Sequence, residues 1–345
     1  MHATTVAVDL AKDVFEIAIA ASGGSVTTRR RLSRRQFHRF VNALEPGTHV
    51  ILEACGTAHY WGRQCQARGA LVRLLPPHYV RPYVRRNKTD RTDAEALLEA
   101  NRCGGMYPVP VKTPEQQALQ SVHRLRSQWQ RTRTGRINTV RGLLREHGIV
   151  VPVGAHRLRA HVIAALETHG TALPGLVVQM IEWLLDDIRA IEHRLKTVDR
   201  DLRQLGQQHP VAARLQQIPG VGPLTATALV ASVPHIHAFR RGRHFASWLG
   251  LTPRESSSGH RRHLGGISKR GDRYLRCLLA HGARAVLQAA TIRARSPQRL
   301  TRLQEWGLQL RQRRGQNRAV IGVANKLARI IWAVWSREHA VQLAS

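Results

Sequence analysis

The stretch NKTDRTDAEAL, residues 87–97, sets Asp90 and Asp93 three apart, flanked by Lys88 and Arg91. Two further acids stand out by position: Asp9 closes the apolar run TVAVDL, and Glu53 falls at the end of THVILEA. Carboxylates are hard oxygen ligands. Three or four meeting at one point suit Mg²⁺ or Mn²⁺, ions that keep waters and bridge to phosphates. Two such ions about 4 Å apart stabilise both the attacking and the leaving oxygen of a phosphodiester displacement. Lys88 and Arg91 would then hold the phosphate backbone. A plainer reading competes. Asp90 with Asp93, or Thr92 with Glu95, also fits an N-cap and its third-position acid, worth ~1 kcal/mol to a helix. Capping explains the pair but neither Asp9 nor Glu53, since a bare acid ending an apolar strand is unusual.

The elements that must position these acids are legible in outline. TVAVDL and VFEIAIA, the latter alternating Phe15, Ile17 and Ile19, predict two strands, with a turn at residues 23–25 before a third, VTTRRRL. RRQFHRFVNAL puts Phe37, Phe40, Val41 and Leu44 on one helical face. THVILEA and ALVRLLPP predict a fourth and a fifth strand around a helix over residues 58–68, and a further helix starts at Asp90. Three strands in a meander, then helix and strand alternating, is the order of ribonuclease H-like (RuvC-like) nucleases. Parallel strands joined by a helix carry their functional residues at strand C-terminal ends. An α/β domain is thus assigned to residues 1–110.

Residues 111–208 read as a long helical, coiled-coil-like middle. Val177, Ile181, Leu184, Ile188, Ile191, Leu195, Val198, Leu202 and Leu205 alternate steps of four and three, a heptad seam. Leu119, Val122, Leu125 and Trp129 begin a similar stripe upstream. The seam leaves two arrangements open, a helical hairpin within one chain or an arm pairing protomers into a dimer or tetramer.

Residues 209–345 read as a mostly α domain. IPGVGP, 218–223, resembles a helix-hairpin-helix turn, in which Gly220 and Gly222 let backbone N–H groups approach a phosphate. An ordinary helix connection fits equally well. Downstream, SSSGHRRHLGGISKRGDRYLR predicts a mobile loop followed by Arg261, Arg262, Lys269, Arg270 and Arg273, cations able to neutralise a phosphate as charge builds. His260 and His263 are candidate proton shuttles, although the chain holds 19 histidines.

Charge supports a polyanionic partner. The chain carries 54 Lys+Arg against 22 Asp+Glu, a net charge of +32, spread along its whole length. Hydrophobic residues make up 43%, enough for folded domains. Cys55, Cys65, Cys103 and Cys277 show no zinc-like spacing and read as reduced thiols of a cytoplasmic protein. No signal-peptide pattern opens the chain, and no uninterrupted apolar stretch approaches the ~18 residues of a membrane span.

VAVDLAKD, ILEACGTAHYW and KTDRTDAEAL, in that order and spacing, resemble the DEDD motif of a large family of bacterial insertion-sequence transposases. IPGVGPLTATALVA and FASWLGLTPRESSSGHRRHLGGISKRGDRYLR resemble the family's C-terminal transposase domain, so the likeness covers nearly the whole chain. The resemblance implies a RuvC-like domain with Asp9, Glu53, Asp90 and Asp93 as the metal-binding acids. It implies a catalytic serine before a glycine, which aligns best with Ser258; Ser257 remains an alternative in SSSG. Acids and serine in separate domains imply a composite site for DNA recombination. Family members are also described as guided by a structured non-coding RNA that pairs with donor and target DNA. Two other classes stay open: a metal-dependent nuclease or junction resolvase in which water attacks, and a nucleic-acid scaffold without catalysis.

Overall fold

The structure is a computed structural model describing residues 4–21, 25–84, 90–103, 106–295 and 299–342, with the side chains of residues 90, 91, 171 and 338–342 outside that description. The chain forms two compact units, Met1–Gln117 and Ala118–Ser345.

In the first unit, β1 (Thr5–Leu10), β2 (Val14–Ala20) and β3 (Val26–Ser33) form an antiparallel meander. Helix α1 (Arg34–Asn42) follows, opened by a capping box in which Ser33 accepts from the Gln36 N–H and the Gln36 side chain accepts from the Ser33 N–H. β4 (His49–Glu53), α2 (Ala58–Gln66) and β5 (Leu71–Leu75) complete the sheet, and α3 (Pro77–Val80) and α4 (Asp90–Arg102) follow it. The strand order is β3-β2-β1-β4-β5, with β4 parallel to both β1 and β5, an arrangement compatible with the ribonuclease H-like order.

Strand alternation gives this sheet two distinct faces. Val6, Val8, Phe15, Ile17 and Leu52 turn to one side and bury against Phe37 and Trp61. There Phe15 stacks on Phe37 at 4.4 Å, and Trp61 meets both rings edge-on. Ala7, Ala18, Ala20 and Ile51 face the other side and pack with Ala94, Leu97 and Ala100 of α4. The alanines keep that face shallow, so α4 lies close over β1, β2 and β4.

The second unit begins with three helices, α5 (Pro114–Glu146, whose first turn belongs to the other unit), α6 (Leu158–His169) and α7 (Gly175–Gln208). Ion pairs Arg126–Asp199, Arg133–Glu192 and Arg136–Asp187 show that α5 and α7 run antiparallel, since the numbers rise on one as they fall on the other. Ile181 and Ile188 of the heptad seam bury against Ile137, Val140 and Leu144 of α5 and Val162 of α6. That half of the seam is covered from within the chain.

The C-terminal core is built from α8 (Pro210–Leu215), α9 (Pro223–Ser232), α10 (Gly242–Trp248), the hairpin β6 (Pro253–Glu255) and β7 (Leu264–Ile267), α11 (Arg273–Arg293), α12 (Arg302–Arg314) and α13 (Gln316–Gln342). Residues Gln316–Arg337 of α13, with mean hydropathy 1.2, are long and apolar enough to cross a membrane, which differs from the sequence expectation. Asn325, Lys326 and Arg329 interrupt the run and hide it from a search for unbroken apolarity. Its apolar face, including Val323, Leu327 and Ile331, lies in the core with Leu229, Phe245 and Leu279. All four cysteines are free, and burial pushes the Cys65 thiol up to about 12.

Candidate active site

The acids of the first unit are placed by the sheet. Parallel pairing matches Val8 with Leu52, so Asp9 and Glu53 are the next residues on adjacent strand ends. By alternation from Ala7 and Ile51, both lie on the face that α4 covers. Both are half-buried. Asp93 sits in the first turns of α4, half-buried, with Oδ1 enclosed, and Asp90 is the first residue of that helix. The side chains of Asp90 and Arg91, and the whole of Lys88, lie outside the described residues. Among the described residues, no three His, Cys, Asp or Glu side chains form a set able to hold a metal ion.

The structure adds an acid that the sequence reading missed. Glu16 pairs directly with Asp9 across the β1–β2 hairpin, so the two share a face. Arg31 of β3 lies 3.4 Å from the Glu16 carboxylate. The signal was available, because Asp9 and Glu16 are equidistant from the hairpin turn. Nearby, Glu95 of α4 accepts from Arg29 Nε at 2.6 Å, which ties the helix to the third strand.

The second unit carries the serine. The loop that the sequence predicted around SSSG forms the tip of an antiparallel hairpin, whose strands pair Pro253 with Ile267 and Glu255 with Leu264. Its tip closes where Ser258 N–H donates to Arg261 O at 3.2 Å and Arg261 N–H donates back at 3.1 Å. Gly259 makes that turn at φ +51°, a conformation side chains rarely adopt. Below the tip, the Ser257 hydroxyl donates to Glu255 Oε1 at 3.0 Å and accepts from His263 N–H at 3.2 Å. Arg262 Nε donates to the same carboxylate oxygen at 3.0 Å. Arg262 first, and Ser257 second, hold the Glu255 carboxyl below the usual range.

The three serines therefore differ. Ser257 is tied into the hairpin, whereas the exposed Ser258 hydroxyl makes no hydrogen bond among the described residues. Arg261, Arg262, Lys269, Arg270 and Arg273 are all exposed, as are His260 and His263. The base of the hairpin is rigid: a Cβ on Gly250 or Gly271 would run into the backbone carbonyl of Arg270 or Trp248. Asp272 then caps α11 by accepting from the N–H groups of Tyr274 and Leu275.

The two glycines of IPGVGP separate as well. Gly220, at φ +90°, packs on Gly282 of α11, where a Cβ would stand 2.8 Å from the Gly282 carbonyl oxygen. Its missing side chain serves that helix contact. Gly222, at the N-cap of α9, is exposed and has open space around its Cα.

Strand-end carboxylates in one unit and an exposed serine paired with Arg261 at a hairpin tip in the other, in a chain of net charge +32, describe a nucleic-acid-processing enzyme. Comparison with known proteins makes this specific. Residues 6–149 match the DEDD transposase model of IS110 elements, and residues 212–298 match the transposase model of the IS116/IS110/IS902 family. A probable family 20 transposase of Pseudomonas aeruginosa is 42% identical over 342 residues, covering 98% of each chain. The transposase of insertion sequence element IS1111A from Coxiella burnetii is 38% identical, covering 96% of this chain and 89% of the relative. A putative transposase of Sinorhizobium fredii is 36% identical, covering 98% and 86%. The chain belongs to the IS110 family of insertion-sequence transposases, enzymes that recombine DNA. The DEDD domain suggests a divalent metal.

Proposed function

We propose that this transposase cuts and rejoins DNA through Ser258, with Asp9, Glu53, Asp90 and Asp93 as ligands of a divalent ion, Mg²⁺ or Mn²⁺. The observation that supports it best is the exposed Ser258 hydroxyl, which makes no hydrogen bond among the described residues, at a hairpin tip where Ser258 pairs with Arg261. Ser258 Oγ attacks a DNA phosphorus, the P–O bond to one sugar breaks, and a phosphoserine diester forms. The hydroxyl proton leaves to the imidazole of His260 or His263 and returns to the sugar oxygen that departs. In the second half, a sugar hydroxyl from the other DNA attacks the phosphoserine and restores Ser258. The diester count is conserved, so rejoining needs no outside energy source. Arg261, Arg262, Lys269 and Arg270 offset charge as the phosphate becomes pentavalent.

Asp9 and Glu53 suit a hard cation by donor type and by their shared sheet face. Such an ion, when bound, offsets phosphate charge and eases ionisation of an oxygen nucleophile. Lys88, Arg91 and the open N-terminus of α9 at Gly222 steer the DNA backbone. Acids and serine come from different domains, assigned as 1–110 and 209–345 around a helical arm, 111–208. A structured non-coding RNA supplies sequence recognition, and a dimer or tetramer holds donor and target together in the cytoplasm. A hydrolytic alternative, a RuvC-like nuclease or junction resolvase, draws support from the acids sharing one face without the serine.

Recombination of donor and target DNA by protein with and without its co-purifying RNA tests this account. Product should require the RNA and vanish in Ser258→Ala. Recombination by that variant would overturn the proposal.

A further inference from the structure

Within the second unit, α5, α9 and α11 enclose a groove of about 1090 Å³. That exceeds the ~300–1,000 Å³ of typical small-ligand pockets. Its rim carries Arg124, Arg131 and Arg273, exposed and in no ion pair among the described residues. The other charges there are already matched. Arg126 donates twice to Asp199, at 2.5 and 3.3 Å, and the Asp272 carboxylate caps α11. The floor is apolar, made by Leu224, Ala228 and Leu278. Cations over an apolar floor fit a ligand that is anionic along its edge and flat across its body.

Tyr274 stands in this groove on a fixed support. Buried His123 places Nδ1 3.1 Å from the Tyr274 hydroxyl and Nε2 3.2 Å from Thr227 Oγ1. The Thr227 hydroxyl already donates to Pro223 O at 2.7 Å, so it must accept from His123 Nε2–H. Nδ1 is then the acceptor for Tyr274 O–H. Only a neutral imidazole satisfies both ends, and burial, helped by Arg126, lowers its pKa to about 4. The relay locks the phenol, and Tyr274, half-buried against the core, lines the groove.

We propose that this groove holds a single-stranded stretch of nucleic acid, with phosphates on Arg124, Arg131 and Arg273 and a base against Tyr274 and the apolar floor. A duplex would offer phosphates alone and leave the floor uncovered. The inference rests on the chain acting on nucleic acid, and it adds where an unpaired strand lies.

Cys277 lines the groove and is exposed, while Cys103 is exposed in the other unit and serves as an internal control. Full-length protein is alkylated with iodoacetamide, with or without a single-stranded DNA or RNA oligonucleotide, and the labelled peptides are counted by mass spectrometry. A strand at ten times its Kd should slow Cys277 labelling about tenfold and leave Cys103 unchanged. Protection by DNA, by RNA or by both identifies the source of the strand. Arg124→Ala with Arg131→Ala should remove the protection and lower the salt slope of log K by ~1.4. Ser258→Ala should keep it, so failure of the serine mechanism is read separately from failure of the groove. Equal labelling with and without strand overturns the inference, as does a duplex protecting Cys277 as well as a single strand.

Discussion

The two halves of the candidate machinery are built in opposite ways. Asp9 and Glu53 are extensions of core strands, so burying Val6, Val8, Ile51 and Leu52 also sets where their carboxylates stand. Ser258 has no core beneath it. Polar links among Glu255, Ser257, Arg262 and His263 hold its hairpin, and crossing glycines anchor the base. Core-set ligands should tolerate little chemical change, because a lost carboxylate cannot be replaced by a neighbour's movement. A hairpin held by exposed hydrogen bonds should lose activity by degrees when its supports are cut.

The largest effect should come from Asp9→Asn. Recombination should fall below detection while DNA affinity changes less than about twofold, because few phosphate contacts are lost. A recombination assay beside a binding titration checks both, and substantial residual recombination would detach the sheet from the chemistry. An intermediate effect falls on the second unit. His123 is neutral in the fold and titrates near 6.5 when unfolded, so its stabilisation is complete above that value and is lost as pH falls toward about 4. Thermal unfolding across that window should show a loss on the order of 3 kcal/mol. His123→Gln should flatten this part of the pH profile, and a variant profile parallel to the native one would refute the neutral relay. The smallest effect is that of Ser257→Ala. Removing its exposed hydrogen bonds should cost about 1 kcal/mol and slow recombination up to about tenfold, with any DNA link still on Ser258. Complete loss in Ser257→Ala alone would move the nucleophile one residue.

Much of the first unit was legible because its strands alternate and each acid sits where an apolar run ends. The meander of β1 to β3 and the parallel β4 and β5 follow that pattern closely. Glu16 escaped notice because its importance lies in its pairing with Asp9, which shows only when the two strands are counted back from their shared turn. The second unit hid more. The seam on α7 named the buried Ile181, Ile188, Ile191, Leu195 and Leu202 together with Leu205, which is exposed, and a single stripe does not say that Ile137, Val140 and Leu144 cover its first half. Gly220 looked like a phosphate contact, whereas its bare Cα is used against Gly282, more than sixty residues away. The β6–β7 hairpin left almost no signal, since its strands are nearly all exposed and lack a buried face to enforce alternation.

The most direct measurement is the covalent state of Ser258 during reaction. Protein, co-purified RNA and donor DNA are stopped in denaturant, the DNA is trimmed by nuclease, and tryptic peptides are weighed. The account predicts a nucleotide mass on the peptide bearing Ser258, absent from Ser258→Ala and suppressed in Asp9→Asn. Cleaved strands with no modified peptide, or Ser258→Ala cutting DNA at the native rate, would contradict it and leave hydrolysis as the chemistry.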